Sequence, residues 1–143
     1  MPQNNIKDIK KYKLKRVARF FMDKNKFKIE IKDEKIAALE KTIYAFVING
    51  KFVRIGSSKG VLRRRFRVWE RDVTNRLKGK KSPTPEREAR GWENLLRKYG
   101  EGYVFARQGT IVKTPVGNFP AYLDEESVLI GRHSPPLNRS KHR

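Results

Sequence analysis

Apolar residues recur along this chain in two periods, and each period predicts a different kind of element. Between positions 60 and 78 the apolar residues step by four, three, four and four, which is the spacing of one continuous helix face. The stripe consists of Leu62, Phe66, Trp69, Val73 and Leu77. This pattern predicts a long amphipathic helix over residues 60–78, with one face packed on a core.

A second, strand-like pattern lies in residues 42–56, where two short apolar runs flank Asn49-Gly50. Asn-Gly between apolar runs is the strongest short-range signal for a β-hairpin. A two-residue turn would place Tyr44 opposite Ile55, whereas a three-residue loop with its glycine in a bulge would place Tyr44 opposite Arg54. We favour the bulged register, because it gathers the polar groups on one face.

The first 35 residues are interpreted as a basic N-terminal arm. Five apolar residues at helical spacing among lysines predict an amphipathic helix, and three that alternate with charged residues predict a short edge strand. The helix residues are Ile6, Ile9, Val17, Phe20 and Phe21, and the strand residues are Phe27, Ile29 and Ile31. Asp33 then caps a short helix that ends at Leu39.

The rest of the chain is divided by proline and glycine. A linker-like segment precedes a helix over 84–99, which Thr84 caps with a proline at the first helical position. Three further elements are expected: a strand at 102–108, an exposed loop or hairpin at 109–119 and a helix near 121–132. The elements predict an α+β fold, with a three-stranded antiparallel sheet flanked by helices. Its parts are the arm at 1–35 and a main domain at 36–143 that contains the inserted helix 84–99.

Charge narrows the class of partner. The chain has 35 Lys and Arg against 15 Asp and Glu, a net charge of +20. Half of this excess lies between Lys51 and Lys81, where twelve basic residues face only Glu70 and Asp72. Such a field attracts polyanions, so nucleic acid is the expected partner. Charge by itself does not distinguish a protein that cuts nucleic acid from one that coats it.

The sequence has no cysteine and no long apolar run. Without cysteine there is no disulfide, thiolate metal site or thiol nucleophile, and the cytoplasm is the expected compartment. No run approaches the roughly 18 apolar residues of a membrane-spanning helix, and the N-terminus lacks the apolar core of a secretory signal. We therefore expect no membrane partner.

Three segments, IYAFVINGKFVRIGSS, LRRRF and EESVLIGRHSPPLN, together resemble the GIY-YIG nuclease superfamily. The likeness is to its compact members, the small type II restriction enzymes and the phage endonuclease that degrades host DNA. It is thin over 1–35 and 79–101. The resemblance implies hydrolysis of double-stranded DNA with Mg²⁺ or Mn²⁺, 5′-phosphate products and, for a restriction-type enzyme, a homodimer.

The first of these segments carries Tyr44, Arg54 and Gly56. The resemblance implies that Tyr44 contacts the attacking water or serves as its base, a role for which a phenol, with a pKa of ~10, needs nearby cations at neutral pH. Arg54 stands where the family usually has a second tyrosine, and it can hold a phosphate or a phenolate but cannot act as a base. Gly56 lets the backbone pass close to the site. The alternative for Tyr44 is an aromatic side chain that supports the sheet.

The second segment supplies cations. Arg65 matches the arginine that in the family holds the scissile phosphate and offsets charge in the transition state. Arg64 is the alternative by one position, and with Arg63 and Lys59 we expect it to bind the substrate. Trp69 stands where several relatives have histidine or tyrosine. Because an indole cannot take over proton transfer, we interpret Trp69 as a core residue.

The third segment carries the acidic candidates. Glu126 is the expected ligand of one Mg²⁺ or Mn²⁺ ion, with Glu125 as the alternative one residue away. A solvated acidic helix start is the non-functional interpretation of both. Asn138 matches a terminal asparagine that we expect to brace the glutamate or a phosphate oxygen. His133 and His142 have no metal-ligand partners in the sequence and are left out of the site.

Two other functions fit the same chain. A DNA- or RNA-binding protein without catalysis has the same composition, but it leaves the acidic cluster at 124–126 unexplained. A branched-DNA or repair nuclease of the same fold would select its substrate by DNA structure rather than by sequence. Metal-dependent cleavage separates the binding protein from both kinds of nuclease.

Overall fold

Residues 4–138 are described by the structure, a computed structural model, and they fold around one antiparallel sheet. Its strands are β1 (Lys15–Asp23), β2 (Lys26–Ile31), β3 (Thr42–Ile48), β4 (Lys51–Ser58) and β5 (Glu101–Gln108). Two short strands, β6 (Val112–Thr114) and β7 (Gly117–Phe119), form a separate hairpin. The helices are α1 (Ile6–Lys11), α2 (Glu34–Ala37), α3 (Leu62–Leu77), α4 (Glu86–Tyr99) and α5 (Ala121–His133). The α+β class is as expected.

The main sheet has five strands, in the order β2-β1-β5-β3-β4, so the prediction of three strands was wrong. The two additional strands come from the segment 1–35 that was interpreted as an arm. Strand β1 lies inside the sheet, where neighbouring Val17 and Ala18 are both fully buried. The pairing of β1 with β5 shifts between Arg16 and Ala18, so Val17 and Ala18 both join the same core cluster, and this irregularity breaks the alternation of apolar and polar residues by which a strand is recognised. Only Ile6 and Ile9 of the predicted helix lie in a helix, α1.

The hairpin turn forms at Asn49-Gly50 as predicted. Both residues have positive φ, 53° and 74°, and Ile48 pairs with Lys51, so the turn has two residues. The ladder then skips Val53 in a β-bulge. The bulge therefore exists, but it lies in β4 and not in the turn.

This position of the bulge changes the partner of Tyr44, and neither predicted register was right. Tyr44 pairs with Gly56, not with Ile55 or Arg54. Arg54 pairs with Phe46 instead. The expectation that Arg54 faces Tyr44 across the hairpin was therefore wrong, because one unpaired residue in the ladder shifts every pair beyond it.

Helices α3 and α4 cover one face of the sheet. Trp92 of α4 is fully buried, and its ring centroid lies 4.9 Å from that of Phe46 and 5.5 Å from that of Phe20. Trp69 of α3 joins the same aromatic cluster, with its centroid 5.9 Å from that of Trp92. The helix predicted at 84–99 therefore packs on the main core.

Helices α1 and α5 cover the opposite face. A second buried cluster joins Ile9 and Leu14 from the first segment and Leu129 from α5 to Ile43 and Ile55 of the hairpin. Strand β3 is consequently buried at every position. The β3–β4 hairpin is thus covered by helices on both faces.

The observed helix ends lie within a few residues of the ends predicted from local signals. Asp33 accepts a hydrogen bond from Ile36 N at 3.0 Å and caps α2, which ends two residues before Leu39. Helix α4 begins with Pro85 at its N-cap position, so Thr84 does not cap it. Helix α3 lies within the predicted range 60–78.

The segment predicted as an exposed loop or hairpin contains β6 and β7, whose residues are exposed except for half-buried Thr114. Across residues 4–138, no helix is long and apolar enough to cross a membrane. His142 lies outside the described residues.

The aromatic cluster gives a first testable prediction. Replacing Trp92 with alanine should lower the free energy of unfolding by about 3–5 kcal/mol, because the indole is fully buried between two elements. Urea denaturation followed by circular dichroism measures the change. Tyr99→Ala, on the same helix but 41 % exposed, is the matched control and should change stability by less than about 0.5 kcal/mol. Equal effects of the two substitutions would contradict the central position of α4 in the core.

Candidate active-site cleft

A cleft of about 760 Å³ lies between β4, α3 and α5, with the beginning of α4 at one side. Its polar lining residues are Arg54, Arg65, Asp72, Thr84, Glu88, Glu126, Ser127, Ser134 and Asn138, and Trp69 forms part of its apolar wall. Segments that are far apart in sequence therefore meet at one concave surface.

Tyr44 lies behind this cleft, on the face of β3 that packs against α3. The residue is only 1 % exposed, and its hydroxyl oxygen accepts hydrogen bonds from Trp69 Nε1 at 3.0 Å and from Arg65 Nε at 3.4 Å. Gly56 directly opposite provides the space, since a Cβ added there would lie 2.7 Å from the Tyr44 oxygen. The Tyr44 hydroxyl therefore does not line the cleft itself, but it contacts Trp69 and Arg65, which both do.

Arg65 links the phenol to the carboxylates of the cleft. The electrostatic influence of Tyr44 raises the pKa of the Arg65 guanidinium most, partial burial opposes the shift, and the hydrogen bond to Tyr44 and the charges of Asp72 and Glu126 add to it. The guanidinium therefore stays protonated. Within residues 4–138 its two Nη atoms have no hydrogen-bond partner, so they can meet a phosphate.

The neighbouring cations have different surroundings. Arg64 is exposed on the outer side of α3. Arg63 forms an ion pair with Glu34, with 2.6 Å between Nη2 and Oε1. Lys59 is exposed, and its carbonyl oxygen accepts a hydrogen bond from Lys41 N. Of the three arginines, Arg65 is the one that lines the cleft.

Arg54 also lines the cleft and is less exposed than Arg65. Its guanidinium carbon is 5.1 Å from the centroid of the Trp69 ring, and its Nη1 donates to the carbonyl oxygen of Leu137 at 3.3 Å. Its Nε is buried without a partner among the described residues. Trp69 therefore contacts Arg54 with its ring and Tyr44 with its N–H.

Helix α5 turns its two adjacent glutamates in different directions. Glu126 lines the cleft, and its Oε1 accepts a hydrogen bond from Ser57 Oγ at 2.6 Å. Glu125 instead binds Arg107 of β5, with 2.7 Å between Oε2 and Nη2. Burial opposes ionisation of Glu125, but Arg107 and Thr110 outweigh it and lower its pKa below the ordinary value. The choice between the two glutamates stays a prediction, and Glu126 is the one at the cleft.

The donors at the cleft fit a hard cation bound largely through water. Glu126 forms no ion pair within residues 4–138, and the hydroxyl of Ser57 lies beside it. The part of the chain that the structure describes has no group of three or more His, Cys, Asp or Glu that could hold a metal ion. Mg²⁺ is commonly held by one or two carboxylates and several waters, so a single carboxylate suits Mg²⁺ or Mn²⁺ better than Zn²⁺.

Asn138 has a partner different from the expected one. Its Oδ1 accepts from Ile55 N at 2.8 Å and its Nδ2 donates to Ile55 O at 2.9 Å. Leu137 N also donates to Val53 O. The segment after α5 is thereby attached along the outer edge of β4. Asn138 lines the cleft but supports its wall rather than Glu126.

Sequence reasoning missed three contributors to the cleft. Ser57, which binds Glu126, is a small strand residue with no motif of its own. Asp72 is 8 % exposed and lies one turn after Trp69, where it was counted only as an opposing charge. Trp69 was assigned to the core, and it is buried, but its N–H also binds Tyr44. The signal available for Trp69 was its position one turn after Arg65.

His133 is placed outside the cleft, where its Nε2 lies 2.8 Å from Tyr12 Oη.

Comparison with known proteins identifies the fold. No protein-family model and no curated protein matches the sequence. Among solved structures, a point mutant of bacteriophage T4 EndoII matches with a TM-score of 0.65 and 18 % identity, covering 96 % of this chain and all of that one. The restriction endonuclease HPY188I, in complex with product DNA, matches with a TM-score of 0.55 and 22 % identity, covering 91 % of this chain and 80 % of that one. The chain therefore has the compact fold of these two nucleases.

Gly56 gives a prediction specific to the site. Gly56→Ala should push Tyr44 away from Trp69, because the new methyl group would lie 2.7 Å from the phenol oxygen. We expect a loss of stability of about 1–3 kcal/mol and a shifted NMR signal of the Trp69 indole N–H. The Trp92 indole serves as internal reference, and Gly60→Ala, where a Cβ meets nothing within 4 Å, serves as the control. A folded Gly56→Ala variant with an unchanged Trp69 signal would show that the close approach does not hold the phenol.

Proposed function

We propose that this protein is a metal-dependent endonuclease that hydrolyses double-stranded DNA, with the motifs and mechanism of the GIY-YIG type. The observation that carries the proposal is the cleft lined by Arg65 and Glu126, with the hydroxyl of buried Tyr44 directly behind Arg65. These three residues come from α3, α5 and β3, and each matches a motif position of that superfamily. The likeness of the fold to two nucleases, one of which holds product DNA, supports the same conclusion.

The surface charge brings the substrate to the cleft. With a net charge of +20, the chain attracts a polyanion over a long range. Arg64 and Lys59, exposed at the end of the sheet where Arg65 enters the cleft, hold the DNA backbone next to the scissile bond. Substrate binding is therefore expected to depend strongly on salt.

Arg65 positions the reacting phosphate and controls access to Tyr44. Its Nη atoms bind a phosphate oxygen and offset the charge that develops on it. The Arg65 Nε–Tyr44 contact, at 3.4 Å, is long for a hydrogen bond and can open when the guanidinium turns toward the phosphate. Tyr44 Oη then meets the attacking water, while Trp69 Nε1 keeps it in place.

Glu126 would hold Mg²⁺ or Mn²⁺ at the cleft, with Ser57 fixing the carboxylate. When bound, the ion polarises the phosphate and stabilises the leaving 3′ oxygen. The water oxygen forms the new bond to phosphorus and passes a proton by way of the Tyr44 hydroxyl to the surrounding water, the bond to the 3′ oxygen breaks, and that oxygen takes up a proton from water. The products are a 5′-phosphate and a 3′-hydroxyl.

A DNA-binding protein without catalysis is the second candidate. The burial of Tyr44 and the arginine in the place of the second family tyrosine favour it, because both reduce the number of groups that can accept a proton at the cleft. Incubation of supercoiled plasmid with protein and Mg²⁺ or Mn²⁺, with and without chelator, separates the two. Cleavage that the chelator stops supports the nuclease, and binding without any cleavage supports the second candidate.

The glutamates allow a matched test of the proposal. Glu126→Gln should abolish plasmid cleavage and leave DNA affinity within about threefold, because it removes the metal ligand and no DNA contact. Glu125→Gln is the control: it keeps a hydrogen-bond acceptor for Arg107 and should retain most of the activity. Gel shift and plasmid nicking are measured on both variants. The opposite pattern would identify Glu125 as the metal ligand. Full activity of both variants would contradict a mechanism with one metal-binding carboxylate.

Two adjacent arginines separate catalysis from binding. Arg65→Ala should reduce the single-turnover cleavage rate by about 10²–10³-fold, the cost of losing one donor to developing charge. Arg64→Ala should mainly weaken binding and lower the slope of log affinity against log salt by about one. Cleavage rates at saturating protein and affinities at several salt concentrations measure both effects. If both variants lost the same cleavage rate, Arg65 would have no catalytic role distinct from that of Arg64.

A further inference from the structure

We propose that the outward face of strands β2, β1 and β5 binds single-stranded nucleic acid by stacking its bases. This surface, the sheet platform, is formed by Arg16, Arg19, Phe21, Glu30, Glu101 and Tyr103. It lies toward the β2 edge of the sheet, whereas β4, at the other edge, forms a wall of the cleft. The platform is therefore a second site, and its binding does not depend on catalysis.

The sheet platform is left open by the helices that cover the rest of the sheet. Helices α3 and α4 pack on the opposite face, where Ala18 and Phe20 of β1 are fully buried. On the outward face, the cluster beneath α1 and α5 reaches Phe105 of β5. Beyond Phe105, the rings of Phe21 and Tyr103 are only half-buried. Two aromatic rings thus lie at the open surface of a sheet.

The strand register places the platform side chains next to one another. Arg19 of β1 pairs with Glu30 of β2 and with Tyr103 of β5. Phe21, two residues further along β1, pairs with Glu101. Residues that lie directly opposite one another on paired strands share a face of the sheet. Aromatic, cationic and acidic side chains are therefore interleaved across three neighbouring strands.

Each of the two rings carries a guanidinium group. The Cζ atom of Arg16 lies 4.0 Å from the centroid of the Tyr103 ring, and that of Arg19 lies 4.1 Å from the centroid of Phe21. Nucleobases stack on aromatic rings and on the planes of arginine side chains. Because Arg16 and Arg19 are three residues apart on one strand, the two stacks are separated by about 10 Å. Each stack can therefore take a different base of the same strand.

The two guanidinium groups differ in their other contacts. Arg19 is held between two carboxylates, with Nε 3.3 Å from Glu30 and Nη1 3.0 Å from Glu101. The hydroxyl of Tyr103 also donates to Glu101, at 2.7 Å. Within residues 4–138 the Arg16 guanidinium has no hydrogen bond and no ion pair, so its donors can meet a phosphate or a base edge. The platform thus combines one fixed stack with one that has free donors.

The charges of the platform favour contacts to bases over contacts to phosphates alone. The net charge of +20 attracts any nucleic acid and repels a second copy of the chain. On the platform, however, two carboxylates accompany the arginines, and the side chains of Glu30 and Glu101 are 48 and 42 % exposed. Carboxylates repel phosphates but accept hydrogen bonds from the amino group of cytosine. Since the bases of a duplex are already stacked on one another, the platform fits an unpaired strand.

Fluorescence anisotropy with labelled strands of about 12 nucleotides tests the proposal on the full chain. Oligodeoxycytidine should bind at least about tenfold more tightly than an abasic strand of equal length, because the abasic strand has the same phosphates and no bases to stack. Oligocytidine RNA is measured in parallel. Tighter binding of the RNA or of the DNA strand identifies the natural source of the unpaired strand, and either result supports the platform.

Arg16 and Tyr103 allow matched variants. Arg16→Lys keeps the charge but removes the planar group, and it should weaken binding of oligodeoxycytidine at least about fivefold. Tyr103→Leu keeps an apolar side chain without the ring and should have an effect of similar size. Arg97→Lys and Tyr99→Leu make the same changes at exposed positions of α4, and as controls they should leave affinity within about twofold. Circular dichroism confirms that each variant is folded.

Three results would overturn the proposal. They are an abasic strand that binds as tightly as oligodeoxycytidine, an Arg16→Lys variant that binds like the original protein, and a Tyr103→Leu variant with an altered oligomeric state in sedimentation. The last result would make this face a contact between copies of the chain. Plasmid cleavage, measured on the same variants, should be unchanged, since the platform is separate from the cleft. A protein that binds unpaired strands but cleaves no plasmid refutes only the proposed function.

Discussion

The hydrogen bond from Trp69 Nε1 to Tyr44 Oη, 3.0 Å long, is the constraint on which the cleft depends. A buried hydroxyl without a partner costs free energy, and α3 supplies the partner from the same apolar stripe that packs it on the sheet. This contact fixes the rotation of α3. Arg65, one turn earlier, is consequently directed to the cleft, while Arg64 remains on the outer side. One helix thus serves the core and the site together.

Helix α5 shows how a short element can meet three requirements at once. Consecutive residues of a helix are separated by about 100°, so adjacent side chains point in different directions. Glu125 is held by Arg107 of β5, Glu126 faces the cleft beside Ser57, and Val128 faces outward. The ion pair on one side therefore helps to orient the carboxylate on the next.

Both edges of the sheet are closed by side chains. On β2, Ile29 N donates to Glu70 of α3 at 2.7 Å, and on β4 the backbone of Ile55 is bound by Asn138. Exposed edge strands invite pairing with other chains, and these contacts remove that possibility at both positions. Contacts with partners are left to the open face of the sheet, the helices and the small hairpin. The same use of Asn138 explains why its amide supports a wall of the cleft rather than a phosphate.

The sequence by itself determined the elements whose signals are local. The stripe from Leu62 to Leu77 encodes α3, Asn49-Gly50 encodes the two-residue turn, and the basic excess encodes an affinity for polyanions, because each depends on residues close in sequence or on composition alone. Tertiary structure decided the rest. It made 15–23 a strand inside the sheet by pairing it with β5, 80 or more residues away, and it placed Gly56 opposite Tyr44 through a bulge that no turn signal indicates. It also directed Glu126 rather than Glu125 to the cleft. Such choices depend on which distant segments pack together, and a pattern read along one chain carries no information about that packing.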